Sequence, residues 1–154
     1  QGATAVIVDI LSRYKFENAV FERRAERELP PDEFSDLMIK AQLATYGNGL
    51  DRKQLHPYMW AVKGHYYSAD LPFYNFPYAF GLLLGLALYS NYEREPAGFP
   101  ERYRQLLALT GQASANDVTK EAGFDIEDPA FWQSGIDVVA GRVREFVRLV
   151  EKSS

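Results

Sequence analysis

The sequence contains no cysteine, and only two of its 154 residues are histidine. Without cysteine the chain can form neither a disulfide framework nor a thiolate metal site, and it has no cysteine nucleophile. This composition is compatible with a reducing compartment, and the first residues lack the basic start and the cleavage region of a secretory signal. We therefore expect a cytoplasmic protein.

The histidine pattern of a helical zinc site is missing as well. His56 and His65 lie nine positions apart and a proline follows the first, so they lack i, i+4 spacing, and no HExxH motif occurs. The carboxylates are numerous but scattered along helix faces. We therefore expect no complete metal site in this chain, and we interpret His56, which precedes Pro57, as a turn residue.

Motifs of other catalytic and ligand-binding classes are also absent. No serine lies in a GxSxG nucleophile elbow, and GNGLDRK has neither P-loop spacing nor a preceding strand. A net charge of -4 and an isoelectric point near 5.2 argue against nucleic acid, because phosphate binding relies on clustered Lys and Arg. Arg23, Arg24 and Arg27 alternate with glutamates, which indicates a solvated helix face.

Long apolar runs are absent too. The most apolar stretch, AFGLLLGLALY at 79–89, is about half of the ~20 residues that a helix needs to cross a bilayer. We expect a core helix there and no membrane partner.

What the chain does contain is a helical signal in every segment and no convincing strand alternation. Apolar residues recur at helical spacing from Val6 to about Glu28, and a second helix runs from Pro31 to the glycines at 47 and 49. Further helices are predicted from Pro77 to about Tyr92, from Pro100 to Gly111, over a short capped stretch ending at Gly123, and from Asp128–Pro129 onward. The predicted fold is therefore all-α, with residues 1–154 forming one helical segment.

One stretch, KGHYYSADLPFYNFPY at 63–78, concentrates an imidazole and phenolic hydroxyls on a loop that Pro72 and Pro77 keep from being a regular helix. Such groups can donate hydrogen bonds to an oxyanion, and removing one such donor lowers a rate by about 10²–10³. Alternatively, the rings pack a helix junction with their hydroxyls at a wet rim. From residue chemistry alone, packing is the favoured interpretation.

The string HPYMWAVKGHYYSADLPFYNFPYAFGLLLGLALY at 56–89 resembles the carboxy-terminal part of the oligoendopeptidase F family, among the thimet-oligopeptidase-like zinc metallopeptidases. IVDILSRYKFENAVFERR and LMIKAQLATYGNGLD upstream, and YRQLLALTG and VTKEAGFDIEDPAFWQSGIDVVAGRVREFVRLV downstream, are similar to the family's other helices. The resemblance covers essentially the whole chain, and PFYNFPYAFG is its most specific part. It implies a multi-helical C-terminal segment of a zincin-like oligopeptidase catalytic domain.

The resemblance also implies an activity, the hydrolysis of internal bonds in short peptides. In that family, the histidines of HExxH and a further glutamate hold zinc, and the glutamate of the motif activates a water. By motif position, His65 matches a histidine that faces the developing oxyanion. Tyr74 and Tyr78 are the best matches to tyrosines that face the oxyanion and the substrate backbone, and Tyr67, with Tyr66, is a further candidate for substrate binding.

The chain departs from the family because the zinc motif and the third ligand, which lie upstream in the family, are missing. We therefore expect a fragment of a longer parent: zinc belongs to the parent, this chain binds none, and alone it is inactive. The alternative is a stand-alone helical module that holds peptides in an aromatic groove. In a fragment, apolar helices such as 79–92 lose their partners, which favours self-association.

Overall fold

The computed structural model describes residues 2–153, apart from the side chain of Thr4, and over this range it contains helices and turns but no strand. The prediction of an all-α fold is confirmed. The α-helices are α1 (Gly2–Thr4), α2 (Ile10–Arg24), α3 (Pro31–Thr45), α4 (Met59–Val62), α5 (Phe76–Arg94), α6 (Phe99–Leu109), α7 (Ala115–Glu121) and α8 (Pro129–Ser153).

The amino-terminal helix is longer at its start and shorter at its end than predicted. A π-helical stretch, Ala5–Asp9, joins α1 to α2, so helical backbone begins before Val6. At the other end α2 stops at Arg24 rather than near Glu28. Pro30 has extended backbone angles, with φ -73° and ψ 158°, and Pro31 after it disfavours helical angles there, so the chain leaves the helix before it reaches the proline pair.

Prolines and polar caps set the later helix boundaries as predicted. Pro77 lies in the first turn of α5, and residues 67–75 form no helix. The side chain of Ser114 caps α7 by accepting a hydrogen bond of 3.2 Å from the backbone N–H of Asp117. Gly123 follows α7 with a φ of +79°, in the left-handed region that glycine adopts without strain.

The chain divides into two compact units, Gln1–Phe80 and Gly81–Ser154. In the first unit, buried apolar side chains of α2 and α3 form the core: Phe16, Val20, Leu37, Met38 and Ala41. A partly buried ring, Trp60 of α4, packs against that core. The prediction that residues 1–154 form one segment of a larger domain stays a prediction.

In the second unit, α5, α6, α7 and α8 bury a separate core that includes Leu88, Leu106 and Phe131. Gly135 allows α8 to approach α5 closely, since a Cβ there would lie 2.9 Å from the carbonyl oxygen of Leu83 and 3.0 Å from the backbone nitrogen of Ala87. A larger residue at that position therefore has no room.

Helix 79–92, which we expect to lose packing partners in a fragment, is partly buried, while its Tyr89 and Tyr92 stay 41% and 45% exposed. Ala87 and Leu88 of α5 are buried in the second unit's own core. Exposed apolar side chains also lie on α8, where Val143, Phe146 and Leu149 keep 50–67% of their surface exposed. Among the helices of residues 2–153, none is long and apolar enough to cross a membrane.

Candidate functional site

The loop that carries the predicted site residues is closed by a backbone hydrogen bond. After α4, residues Gly64–Tyr66 form one turn of 3₁₀-helix, and the chain returns so that the N–H of Phe73 donates to the carbonyl of His65 at 2.8 Å. Phe73 has a φ of +56°, the left-handed region that non-glycine residues rarely occupy. This reversal brings the end of the loop beside its beginning.

Within this loop His65, Tyr74 and Tyr78 form one aromatic cluster. The ring centroid of His65 lies 6.4 Å from that of Tyr74 and 5.9 Å from that of Tyr78, and the two tyrosine rings meet edge to face at 5.7 Å. Tyr74 and Tyr78 keep 39% and 46% of their surface exposed. The structure therefore brings together the three residues predicted to be catalytic.

The polar atoms of this cluster are available to a ligand. Considering residues 2–153, the ring nitrogens of His65 and the hydroxyls of Tyr74 and Tyr78 make no hydrogen bond within the chain. His65 and Tyr78 line a cleft of about 230 Å³, with Asp9 and Arg13 of the first helical region on its other side. We refer to this as the His65 cleft.

The guanidinium of Arg13, which lines this cleft, has two partners. Its guanidinium forms an ion pair with Asp9 and donates a hydrogen bond of 2.8 Å to Oδ1 of Asn75. Asp9 in turn accepts a hydrogen bond of 3.0 Å from the hydroxyl of Tyr46. Burial, followed by the hydrogen bond to Asp9, raises the pKa of Tyr46 to about 12.

Asn75 anchors the loop to α2. It is fully buried, and besides accepting from Arg13 it donates from Nδ2 to Oε1 of Glu17 at 2.5 Å. Burial of Glu17 raises its pKa, and the hydrogen bond from Asn75 partly opposes that shift. We refer to Asp9, Arg13, Glu17 and Asn75 as the buried polar network.

Sequence reasoning missed this network, although it left a signal in the sequence. Asp9, Arg13 and Glu17 recur every four residues and therefore share one helix face. That face is otherwise interleaved with the apolar residues Ile10 and Phe16, both buried. Charged side chains next to buried apolar ones on a helix indicate that another buried polar side chain bonds them. In this structure that side chain is Asn75.

Two other candidates, Tyr66 and Tyr67, do not join the cluster. The ring of Tyr66 packs between Phe16 and Phe73, at centroid distances of 5.5 and 5.7 Å. Its hydroxyl is buried and makes no hydrogen bond to any other residue of the described chain. Burial and then the negative charge of Glu17 raise the pKa of Tyr66. Packing, the simpler interpretation, therefore holds for this residue.

Tyr67 lies on a different surface. It is exposed and lines a cavity of about 470 Å³ together with Phe21, Phe73 and Trp60. We refer to this cavity as the aromatic pocket. The residue predicted to bind substrate is thus separated from the three predicted to be catalytic.

His56 lies in a turn, away from any group of metal-binding side chains among the described residues. The carbonyl of His56 accepts from the N–H of Met59 at 3.3 Å, so it begins a turn as predicted, and the side chain of Gln42 bonds its backbone at 2.9 and 3.1 Å. In the described part of the chain, no three histidine, aspartate or glutamate side chains are grouped so that they could hold a metal ion. The resemblance implies zinc ligands upstream of the residues described here, and this observation does not bear on them.

Comparisons with protein-family models, with curated proteins and with solved structures found no match to this chain.

Proposed function

We propose that this chain is the carboxy-terminal segment of a zinc-dependent oligoendopeptidase of the oligoendopeptidase F type, with a zincin-like catalytic domain. The parent hydrolyses internal bonds of short peptides in the cytoplasm. The observation that carries the proposal is the mutual contact of His65, Tyr74 and Tyr78. The resemblance matches these residues by motif to groups that face one oxyanion, and such groups have to lie close together.

In this proposal the cluster supplies hydrogen-bond donors to the transition state. A peptide carbonyl that becomes tetrahedral develops negative charge on its oxygen, and an imidazole N–H and two phenolic hydroxyls can donate to it without placing an anion nearby. The open edges of Tyr74 and Tyr78 leave their hydroxyls accessible to such a group. Asn75 holds the loop on α2, so the donors are positioned before substrate arrives.

Zinc and water activation are assigned to a part of the parent outside this chain, because the family's zinc motif lies upstream of the part that this chain resembles. When bound in the parent, zinc polarises the water and the scissile carbonyl. The isolated chain is expected to lack peptidase activity.

The reading frame upstream of Gln1 gives the first test, since the proposal requires it to continue into an HExxH motif. In that longer protein, Tyr78→Phe should lower kcat about 100-fold with zinc content unchanged. Tyr14→Phe is the matched control, because Tyr14 is also an exposed tyrosine of the first unit. An unchanged kcat in the Tyr78 variant would remove this residue from the catalytic group.

The second candidate function is a non-catalytic helical module that binds peptides. It is favoured by the aromatic pocket, which is built entirely from this chain and requires no metal. A start codon close to Gln1, together with peptide binding by a folded monomer, would support this function over the peptidase segment.

We also propose that the chain self-associates through α8. Exposed apolar side chains on this helix, such as Val143 and Phe146, support the proposal. Light scattering should show a mass above 17.5 kDa that returns to the monomer value in Phe146→Ser. A monomer at high concentration of the unsubstituted chain would contradict it.

A further inference from the structure

The aromatic pocket is walled by rings that contact one another in sequence. Phe21 meets Phe73 at a centroid distance of 4.6 Å, Phe73 meets Tyr66 at 5.7 Å, and Tyr66 meets Phe16 at 5.5 Å. The series continues through Phe34 at 6.3 Å to Trp60 at 5.1 Å. The volume of about 470 Å³ lies within the range of roughly 300–1,000 Å³ that small-ligand sites occupy.

One cation, Arg24, also lines this pocket. Its neighbours Arg23 and Arg27 both pair with Glu33, at 3.5 and 2.8 Å. Arg24 itself has no ion pair or hydrogen bond from its side chain to any other described residue. The pocket therefore combines an apolar wall with an exposed guanidinium whose donors are free.

The aromatic wall together with Arg24 favours a ligand that carries a negative charge. Aromatic walls alone would favour a cation, through the negative faces of the rings. Arg24 opposes a cation, and its planar donors match a carboxylate. Two carboxylates of the same unit are engaged elsewhere, since Glu33 pairs with Arg23 and Arg27 and Glu17 is buried on Asn75.

We propose that the aromatic pocket binds an aromatic group that carries a free carboxylate, with the carboxylate on Arg24. Two sources supply this chemistry, a free aromatic acid and the carboxy-terminal aromatic residue of a peptide. The site goes beyond the proposed peptidase function. It belongs to this chain alone, needs neither zinc nor hydrolysis, and can exist whether or not the His65 cleft is catalytic.

The two tryptophans provide a direct readout with an internal control. The indole N–H of Trp60, in the pocket, donates to Oγ of Ser35 at 3.3 Å, whereas that of Trp132, in the second unit, donates to the carbonyl of Ile126 at 2.8 Å. Titration of the chain with N-acetyl-L-phenylalanine should shift the Trp60 indole signal in ¹H–¹⁵N NMR spectra. The Trp132 signal should stay in place.

Arg24 is tested by comparing the acid with its primary amide. The unsubstituted chain should bind the acid about tenfold more tightly than the amide, because a charge-assisted pair is lost in the amide. Arg24→Gln should abolish that preference. Arg144→Gln, which removes an exposed arginine from α8 in the second unit, should retain it.

Further measurements distinguish a free aromatic acid from a peptide carboxy terminus, or overturn the proposal. Tighter binding of N-acetyl-Ala-Ala-Phe than of N-acetyl-phenylalanine assigns the site to peptide carboxy termini, and equal binding assigns it to a free acid. An unmoved Trp60 signal, or equal affinity for acid and amide in the unsubstituted chain, overturns the proposal. Tyr67→Ala, a change at an exposed wall residue, should weaken both acid and amide, and unchanged affinity would count against this pocket as the site.

Discussion

The His65 cleft and the aromatic pocket are built from the same short loop, yet they have opposite chemistry. The cleft presents the imidazole of His65 and the hydroxyl of Tyr78, which make no hydrogen bond within the described chain. Its other side carries Asp9 and Arg13, which form an ion pair with each other. The pocket presents the faces and edges of packed rings, with one free cation. The cleft suits donation to a developing charge, and the pocket suits recognition of a bound group.

The separation is made by three consecutive residues. The side chain of Phe73 packs on Phe21 in the pocket, that of Tyr74 packs on the ring of His65, and that of Asn75 lies in the buried polar network. In an extended strand the first and third of three consecutive side chains point to the same side, so Phe73 and Asn75 would share one. The left-handed backbone of Phe73 breaks that alternation, and such a conformation persists only where surrounding contacts impose it.

The largest effect on this arrangement is expected from Asn75→Ala. The change leaves Arg13 and Glu17, both buried, without their shared hydrogen-bond partner, and should lower the free energy of unfolding by about 3 kcal/mol. Urea denaturation measures the loss. The control is Asn18→Ala, at an exposed position of α2, the helix that carries Arg13 and Glu17, and it should change stability by less than about 0.5 kcal/mol. Similar values for the two variants would show that the network does not hold the loop.

The next largest effect compares the two sides directly, through Phe73→Ala and Tyr74→Ala. Phe73 is half-buried against Phe21 and Tyr66, so its loss should lower stability by about 2 kcal/mol, less than for a fully buried ring. Tyr74 is exposed, and its loss should lower stability by less than about 1 kcal/mol. Thermal or urea unfolding with the reverse order would mean that the cleft, not the pocket, is the packed side.

A smaller effect is expected from Tyr46→Phe, which removes the hydrogen bond to Asp9 behind the cleft and should cost about 1 kcal/mol at neutral pH. The pKa of Tyr46 is raised from 10.0 to about 12, so the folded state holds the phenolic proton more tightly than the unfolded state. Stability from this group is therefore present below pH 10 and lost as the pH rises to about 12. The Phe variant should lack that component of the alkaline loss, and identical alkaline profiles would contradict the assignment.

The smallest effect is expected from Glu17→Gln, and it lies in the pH dependence of stability. Burial raises the pKa of Glu17 above its ordinary value of 4.5, so the folded state binds this proton more tightly. Its contribution to stability is present below that value and declines as the pH rises through the folded pKa. Urea midpoints measured at about pH 4 and pH 7 should therefore show the variant gaining stability relative to the unsubstituted chain as the pH rises, and an opposite trend would indicate a lowered pKa.

Much of the helical architecture could be predicted because its signals are local. Pro77, Ser114 and Gly123 act on their own backbone neighbourhood, and the structure has the predicted boundaries there. The end of α2 was harder to predict, because Pro30 and Pro31 shorten a pattern that continues as far as Glu28. The cluster of His65, Tyr74 and Tyr78 was anticipated through motif resemblance, and its catalytic role stays a prediction.

By itself, the sequence determined that this chain is helical, where most of its later helices begin or end, and that one loop is rich in rings, because periodicity and proline geometry act over a few residues. Only the tertiary structure decided where each ring went. Asn75 meets partners 58 and 62 positions away, and Phe73 is held in a backbone conformation that its own side chain disfavours. Such contacts depend on the packing of α2 against the loop, which no local pattern encodes, and they divide the aromatic stretch into a cleft and a pocket.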